Sequence, residues 1–350
     1  MSIPIECHER DQLFGTRAPP GLGSIQTMRW AAKNPPNDPQ VSFSGMNVML
    51  TGANSGIGYE AAVKFAKLGA SKVILAVRTL EKGYAAKHDI QMSVGEGYKC
   101  GRLIVMQLDM DDFGSVKRFA TSLEEEVGAD GLQVAILNAG IAPGTYSVAK
   151  ETGWESSLQV NVLSTAFLAI CLLPLLKLGS EGKVHPAQLI FTGSAECVSV
   201  TEDIPVDVPH VLEALNEPES FHPRKSYLIT KLLVVYVMQG LIDDYLVAPL
   251  DQQCPVVISV VCPGYTVTNL ARDLSWPQRT VMMLMNMYCG RSAEEGSRSL
   301  LSASLLGAAG HGKFWTNDNF LDLEYTSTAE GQKLQARVWK EIRDVCLKEL

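Results

Sequence analysis

Nowhere in the 350 residues is there a CxxC pair or a cluster of cysteine with histidine. The eight cysteines, Cys7, Cys100, Cys171, Cys197, Cys254, Cys262, Cys289 and Cys346, are scattered. This spacing argues against a zinc site or a thioredoxin-like motif and suits reduced, mostly buried thiols, so a cytoplasmic protein without a metal centre is expected. The opening MSIPIECHERDQ lacks the apolar run of a signal peptide. No basic run stands out, and a net charge of -8 offers no general attraction for nucleic acid or anionic membrane. Charged residues make up only 19% against 46% hydrophobic, which excludes a disordered chain and supplies a large core. One stretch approaches the length of a membrane span, VLSTAFLAICLLPLLKLG from Val162; with Pro174 inside it, it reads as a buried core helix.

What is present is an alternation of short apolar runs with helical periods. Residues 1–44 are rich in Pro, Gly and Asn and show no sustained period. They read as an irregular extension on the domain surface, with Trp30 as a candidate anchor. From Asn47 the sequence reads strand, tight turn, helix: NVMLTG, then SGIGYEAAVKFAKLG. In the joining loop TGANSGIG, Gly52, Asn54, Ser55, Gly56, Ile57 and Gly58 form either a dinucleotide cradle or a purely structural turn. The cradle reading follows from the strand–helix context, because free amides at a helix N-terminus bind anions.

The second strand, KVILAVR, ends at Arg78, where an acidic residue would bind the ribose hydroxyl of NAD. A guanidinium there suits the extra phosphate of NADP, with Lys82 nearby; the plain alternative is a solvated surface arginine. LIVMQLDM ends a third strand at Asp109 and Met110, with Asp109 meeting an adenine edge or capping the turn. A fourth strand, LQVAILNAG, ends in Asn138, Ala139 and Gly140, small enough for a ligand to lie close at the strand C-termini. A long helix from Trp154 to Leu178 carries Asn161, read equally as a structural amide. AQLIFTGS closes a fifth strand at Ser194, and PVVISVVCPG a sixth at Pro263 and Gly264, ahead of Thr268. GKFWTN reads as the last strand. The whole predicts an α/β fold, a single Rossmann-type doubly wound parallel sheet of about seven strands over residues 45–350, closed by a C-terminal helix.

In SYLITK, Tyr227 and Lys231 lie one helical turn apart on one face. A tyrosine with a pKa of roughly 10 becomes useful near neutrality only if a cation favours its phenolate; a shift of about three units requires roughly 4 kcal/mol, within reach of one charge pair. Alone, such a pair is common on amphipathic helices.

Together, TGANSGIG, LNAG, the asparagine of NVLS, the serine closing strand five, YLITK and PG followed by Thr268 resemble the short-chain dehydrogenase/reductase family over about residues 45–320. The gap between Ser194 and Tyr227 and the pattern ILAVRTLEKG look most like its retinol-dehydrogenase-like branch and relatives in secondary-metabolite biosynthesis. The resemblance implies a catalytic tetrad of Asn161, Ser194, Tyr227 and Lys231. Tyr227 would be the general acid in reduction, Ser194 would bond the substrate oxygen, and Lys231 would hold the nicotinamide ribose and lower the tyrosine pKa. Asn161 would hold a water, and Thr268 the nicotinamide carboxamide. NADP is expected in preference to NAD. Cys197 stands where the retinol branch commonly has histidine, which speaks against a retinoid.

Two segments leave the strand–helix alternation near the expected substrate mouth, about 197–225 and 269–290. They are expected to form a small lid; the second carries Trp276, Met282, Met283, Met285 and Met287, side chains suited to a bulky lipophilic substrate or, alternatively, to a core. The helices from Trp154 and Ser226 suit either a homodimer interface or the core. A competing function keeps the cofactor site but carries out a non-redox tailoring step or serves as a cofactor-bound partner.

Overall fold

The computed structural model describes residues 15–95, 102–246, 254–268 and 276–350, except the side chains of 276–279 and 281. Its centre is an eight-stranded sheet in the order β3-β2-β1-β4-β5-β6-β7-β8. The strands are β1 Asn47–Thr51, β2 Lys72–Val77, β3 Arg102–Gln107, β4 Val134–Leu137, β5 Ala187–Thr192, β6 Val256–Cys262, β7 Lys313–Thr316 and β8 Asn319–Leu321. The first seven run parallel, and β8 returns antiparallel on β7 through Asn317 and Asp318. Both turn residues have positive φ, 49° and 55°, as a tight hairpin of this hand requires. The expected parallel sheet therefore carries one further edge strand.

The α-helices of six residues or more are α1 Ser24–Lys33, α2 Gly56–Lys67, α3 Leu80–Val94, α4 Phe113–Val127, α5 Ser156–Ser180, α6 Val211–Asn216, α7 Pro223–Tyr245, α8 Trp276–Cys289, α9 Ala293–Ala303 and α10 Ala329–Glu349. Strand residues alternate between the two faces, and both faces are covered. Met49 and Ile74 pack toward α4, α5 and α7, while Val48, Leu50, Val73 and Leu75 pack toward α2 and α9. This is why the strands read as continuous apolar runs. Sheet order reverses between β1 and β4, and a crevice at such a point is where ligands bind in open α/β sheets.

Helices α5 and α7 are each long and apolar enough to cross a membrane by composition, but 78% and 72% of their apolar windows are buried in this protein. The sequence pattern singles out only the first of the two. Helix α10 lies against both. Trp339 donates to Asp244 at 2.7 Å, Gln335 to the Tyr236 carbonyl at 3.3 Å, and Val338 and Ile342 join their core. The chain's own C-terminal helix thus covers part of the surface that α5 and α7 would offer a second copy.

The 197–225 segment is tied down as well. It forms a 3-10 stretch, Ala195–Asp203, and then α6, with Cys197, Val200, Ile204, Val211 and Leu212 buried. Glu341 of α10 accepts from the amides of Val211 and Leu212 at 3.1 and 2.9 Å, and Arg337 donates to the carbonyls of Val206 and Val208. The extension, read as irregular, includes the ten-residue α1, none of whose side chains is fully buried; Trp30, its expected anchor, is half-buried.

Candidate active site

The glycine loop owes its shape to contacts that leave no room for side chains. Gly52 has φ of 67°, and a Cβ there would lie 3.2 Å from the Ala139 Cα. At Gly58 a Cβ would come within 2.6 Å of the Gly52 carbonyl oxygen, so α2 can approach β1 this closely only with glycine. Asn138 fastens the neighbouring strand end. Its side chain donates to the Thr51 carbonyl at 3.1 Å, while the amides of Asn138 and Ala139 donate to the Thr51 hydroxyl at 2.9 and 2.8 Å. Ser55 precedes α2 without a side-chain cap, leaving the first-turn amides of Gly56, Ile57 and Gly58 directed at the crevice. Asn54 is half-buried beside them. Thr268 reaches this loop from beyond β6, its Cγ2 lying 3.7 Å from where a Gly56 Cβ would be.

Three of the four candidate catalytic residues, Asn161, Tyr227 and Lys231, come together beside this cradle. Asn161 is buried in a π-helical turn, Gln159–Leu163, that interrupts α5; such turns recur at functional sites. Its Oδ1 accepts from the Ile141 amide at 2.8 Å, and its Nδ2 donates to the Ile141 carbonyl at 2.9 Å and the Thr230 hydroxyl at 3.0 Å. It therefore joins the end of β4 to the helix of Tyr227 and Lys231. A Cβ on Gly140 would fall 3.1 Å from Asn161 Oδ1 and 3.5 Å from Lys231 Nζ, so this glycine keeps the meeting point open. Ser194 lies two residues beyond β5 and precedes the 3-10 stretch; its hydroxyl makes no capping bond.

Helix α7 starts three residues earlier than the sequence suggests, with His222 as N-cap and Pro223 in the first turn. Lys231 is buried, donates to the Thr192 carbonyl at 2.8 Å, and stands 5.6 Å from the centre of the Tyr227 ring. Burial pulls its pKa down to about 8, against a weaker upward pull from Cys262 and Cys197. Burial pushes the half-buried Tyr227 phenol up, and Cys262 and Glu196 add to this. The expected lowering of the tyrosine by the ammonium is not what this structure has: desolvation outweighs the pair, and both groups are driven toward their neutral forms. Burial also pushes the Cys197 thiol up to about 12, which makes it a poor nucleophile near neutral pH.

On the adenosine side, Arg78 stands just beyond β2, more than half exposed, with its guanidinium 3.7 Å from Asp111. Burial raises the Asp111 pKa, Asp109 adds to this, and Arg78 opposes it. Asp109 Oδ1 accepts from the Asp111 amide at 3.1 Å, the turn-capping geometry, and Met110 is buried beneath. Pro263 and Gly264 follow β6 at the same sheet edge, where Gly264, at φ 78°, presses against Arg291.

Of the second lid segment, 269–275 lie outside the described residues, as does the Trp276 side chain. On α8, Met283 and Met287 are 63% and 77% exposed one turn apart, while Met282 and Met285 are half-buried. Sequence reasoning misses Thr230, Glu196 and Arg291. Thr230 sits within YLITK itself; Glu196 pairs with Arg224 at 3.4 Å, linking the turn after Ser194 to the start of α7. No cluster of three or more His, Cys, Asp or Glu able to hold a metal occurs among the described residues.

The crevice fits a dinucleotide: a glycine cradle without room for side chains, free helix amides and a buried lysine at the far end. A family model described as short chain dehydrogenase matches residues 46–201. The chain is 39% identical over 333 residues to the short-chain dehydrogenase/reductase ffsI of Aspergillus flavipes, covering 94% of each. It is 38% identical to the short-chain dehydrogenase/reductase phmF of Phaeosphaeria nodorum, covering 94% of this chain and 95% of that one. Among solved structures, a short-chain dehydrogenase/reductase (glucose/ribitol dehydrogenase) from Brucella melitensis superposes with a TM-score of 0.55 at 17% identity, over 79% of this chain and 97% of that one. The short chain dehydrogenase from Shigella flexneri gives 0.54 at 23%, over 79% and 94%.

Proposed function

The chain belongs to the short-chain dehydrogenase/reductase family of NAD(P)-dependent oxidoreductases, and from that premise we propose that it uses NADP to interconvert an alcohol and a ketone on a bulky, apolar small molecule of secondary metabolism. The observation that carries this reading is the meeting of Asn161 and Lys231 at Gly140, with the Tyr227 ring beside Lys231.

The nicotinamide supplies the hydride when bound, and the rest falls to the chain. Tyr227, kept protonated by its surroundings, would give its proton to the oxygen that gains charge in reduction. Ser194, free of capping duty, would hydrogen-bond the same oxygen and steady that charge. Lys231 would hold the nicotinamide ribose and, at a pKa of about 8, remain mostly charged at neutral pH. Both hydrogens of the Asn161 amide are already used within the protein, so its contribution would be to hold the β4 end against α7, leaving an oxygen lone pair for a water. Asn54, Ser55, Gly56, Ile57 and Gly58 would cradle the pyrophosphate, with Asn138, Ala139 and Gly140 as the wall against which the cofactor lies. Pro263, Gly264 and Thr268 would border the nicotinamide. Arg78 would take the phosphate of NADP, and Asp109 and Met110 would flank the adenine.

An apolar substrate is favoured by where the exposed apolar side chains lie. Of the fourteen large ones among the described residues, half sit on the two proposed lid segments or the chain between β6 and α8, among them Val198, Val206, Val267, Met283 and Met287. Six described cysteines are free thiols, in keeping with a reducing compartment such as the cytoplasm. The test is a panel of lipophilic ketones and alcohols with NADPH or NADP, followed by nicotinamide absorbance. Turnover of a large apolar carbonyl compound supports the reading; tight NADPH binding without turnover of any of them would favour a non-redox role.

A further inference from the structure

Arg291 is among the largest fully buried side chains in the molecule, yet it lies outside every catalytic motif. It follows α8 directly and holds the chain beyond β6 by its backbone: its amide donates to the Tyr265 carbonyl at 2.8 Å, and its carbonyl accepts from the Val267 amide at 2.9 Å. Its guanidinium is shared between two distant parts of the chain. Nη1 donates to the Pro263 carbonyl at 3.2 Å, whereas Nε and Nη2 donate to the Ala31 carbonyl in α1 at 3.1 and 2.6 Å. Asn317, in the β7–β8 turn, accepts from Nη2 as well. Gly264 is glycine here for a second reason besides its φ, since a Cβ would lie 2.5 Å from Nη1.

Two further contacts tie the same pieces together. The Arg29 guanidinium of α1 sits 4.0 Å over the Tyr288 ring of α8, and the Tyr265 hydroxyl donates to Asn286 of α8 at 3.0 Å. Helix α1 has no fully buried side chain; Met28, Trp30, Ala31 and Ala32 are half-buried, so apolar packing supplies only part of what places it. A buried cation reaching its backbone carbonyl supplies a further tie, and a buried guanidinium without those carbonyls would be costly.

We propose that Arg291 is a positioning residue through which the N-terminal extension braces the Pro263–Thr268 cofactor loop and the α8 lid as one unit. The proposal rests on the reading of Pro263, Gly264 and Thr268 as a nicotinamide site. A planar fork can serve the Ala31 and Pro263 carbonyls at once, whereas a lysine ammonium on a flexible stem is poorly suited to both. Because coupling is reciprocal, a bound cofactor that orders the loop must also steady α1.

The first measurement uses wild-type, full-length protein: hydrogen exchange with and without NADPH. The proposal expects slowed exchange in the glycine loop and also across residues 29–34. NADPH that protects the glycine loop but leaves 29–34 unchanged overturns the brace while leaving the cofactor site standing. Wild-type protein that binds neither NADPH nor NADH overturns the cofactor reading, and the brace with it. The second measurement uses Arg291→Met and Arg291→Lys. Both should bind NADPH about tenfold or more weakly, raising the cofactor KM while changing kcat at saturation far less. Unchanged cofactor affinity in either folded variant counts against the proposal, as does full rescue by lysine. Should both fail to fold, Arg29→Ala, which touches only the α1–α8 contact, takes their place and is expected to speed exchange in α1 and α8 together; unchanged exchange in α8 overturns the brace.

Discussion

The Lys231 ammonium stands 5.6 Å from the centre of the Tyr227 ring and donates to the Thr192 carbonyl at 2.8 Å. Spacing in the sequence suggests a cation that drives the phenol toward its anion. The fold instead buries the ammonium and half-buries the phenol, and this loss of water raises the phenol and lowers the ammonium. A phenol held protonated is what a proton donor to a forming alkoxide needs.

Replacing Tyr227 by Phe removes that proton and little else. Turnover is expected to fall by at least about a hundredfold, while NADPH affinity and thermal stability stay close to wild type. Steady-state kinetics beside a cofactor titration checks this, and a variant that keeps most of its redox activity removes Tyr227 from the chemistry.

Cofactor choice is expected to follow Arg78, which is exposed and loosely paired with Asp111 at 3.7 Å. NADPH should bind better than NADH, and Arg78→Asp should narrow or reverse the preference by about tenfold to a hundredfold, the range that one charge-assisted hydrogen bond supplies. Dissociation constants for both cofactors decide it; equal wild-type affinities would count against this role for Arg78.

Lys231 is held at about 8 in the fold against 10.5 for the free side chain, a difference worth about 3 kcal/mol. Between these values the unfolded chain binds more protons, so this group's contribution raises stability as pH climbs from about 8 to 10.5; below 8 its penalty is fully present. Lys231→Met should therefore be inactive yet more stable than wild type by about 2 kcal/mol at pH 7, after the missing bond to Thr192 is allowed for. The gain should shrink by pH 10. Denaturant unfolding at the two pH values measures it, and a loss of stability at pH 7 would mean that the ammonium's bonds outweigh its burial.

On α8, Met283 is exposed and Met285 half-buried. Met283→Ala should change stability by less than about 0.5 kcal/mol, as exposed positions do. The double alanine variant should lower kcat/KM for a large lipophilic substrate and spare a small one. Unchanged efficiency on both would place these side chains away from the substrate.

Much of this protein is legible in its residues taken in order. Apolar runs of four to seven residues, with helical periods between them, dictate a parallel sheet, because strands buried on both faces must be apolar throughout. The glycine loop is equally local, since the lack of side chains at Gly52 and Gly58 is itself the feature. So is the Tyr227–Lys231 spacing, which one turn of helix converts into a shared face. The Asn317–Asp318 turn behind β8 carries a local signal too, both residues being tolerant of positive φ.

Other features were decided only in three dimensions. Whether Lys231 lowers or fails to lower the Tyr227 pKa depends on how deeply each is buried, and spacing says nothing of that. The π turn at Asn161 answers to the β4 end on one side and Thr230 on the other. How much of α5 and α7 is taken into the core depends on α10, which packs on them from the far end of the chain. The Ala31 carbonyl of α1 meets the guanidinium of Arg291, 260 residues away. The acceptor there is a backbone carbonyl, and every residue carries one. A sequence therefore bears no mark at Ala31 for the guanidinium that binds it, and only the fold brings the two together.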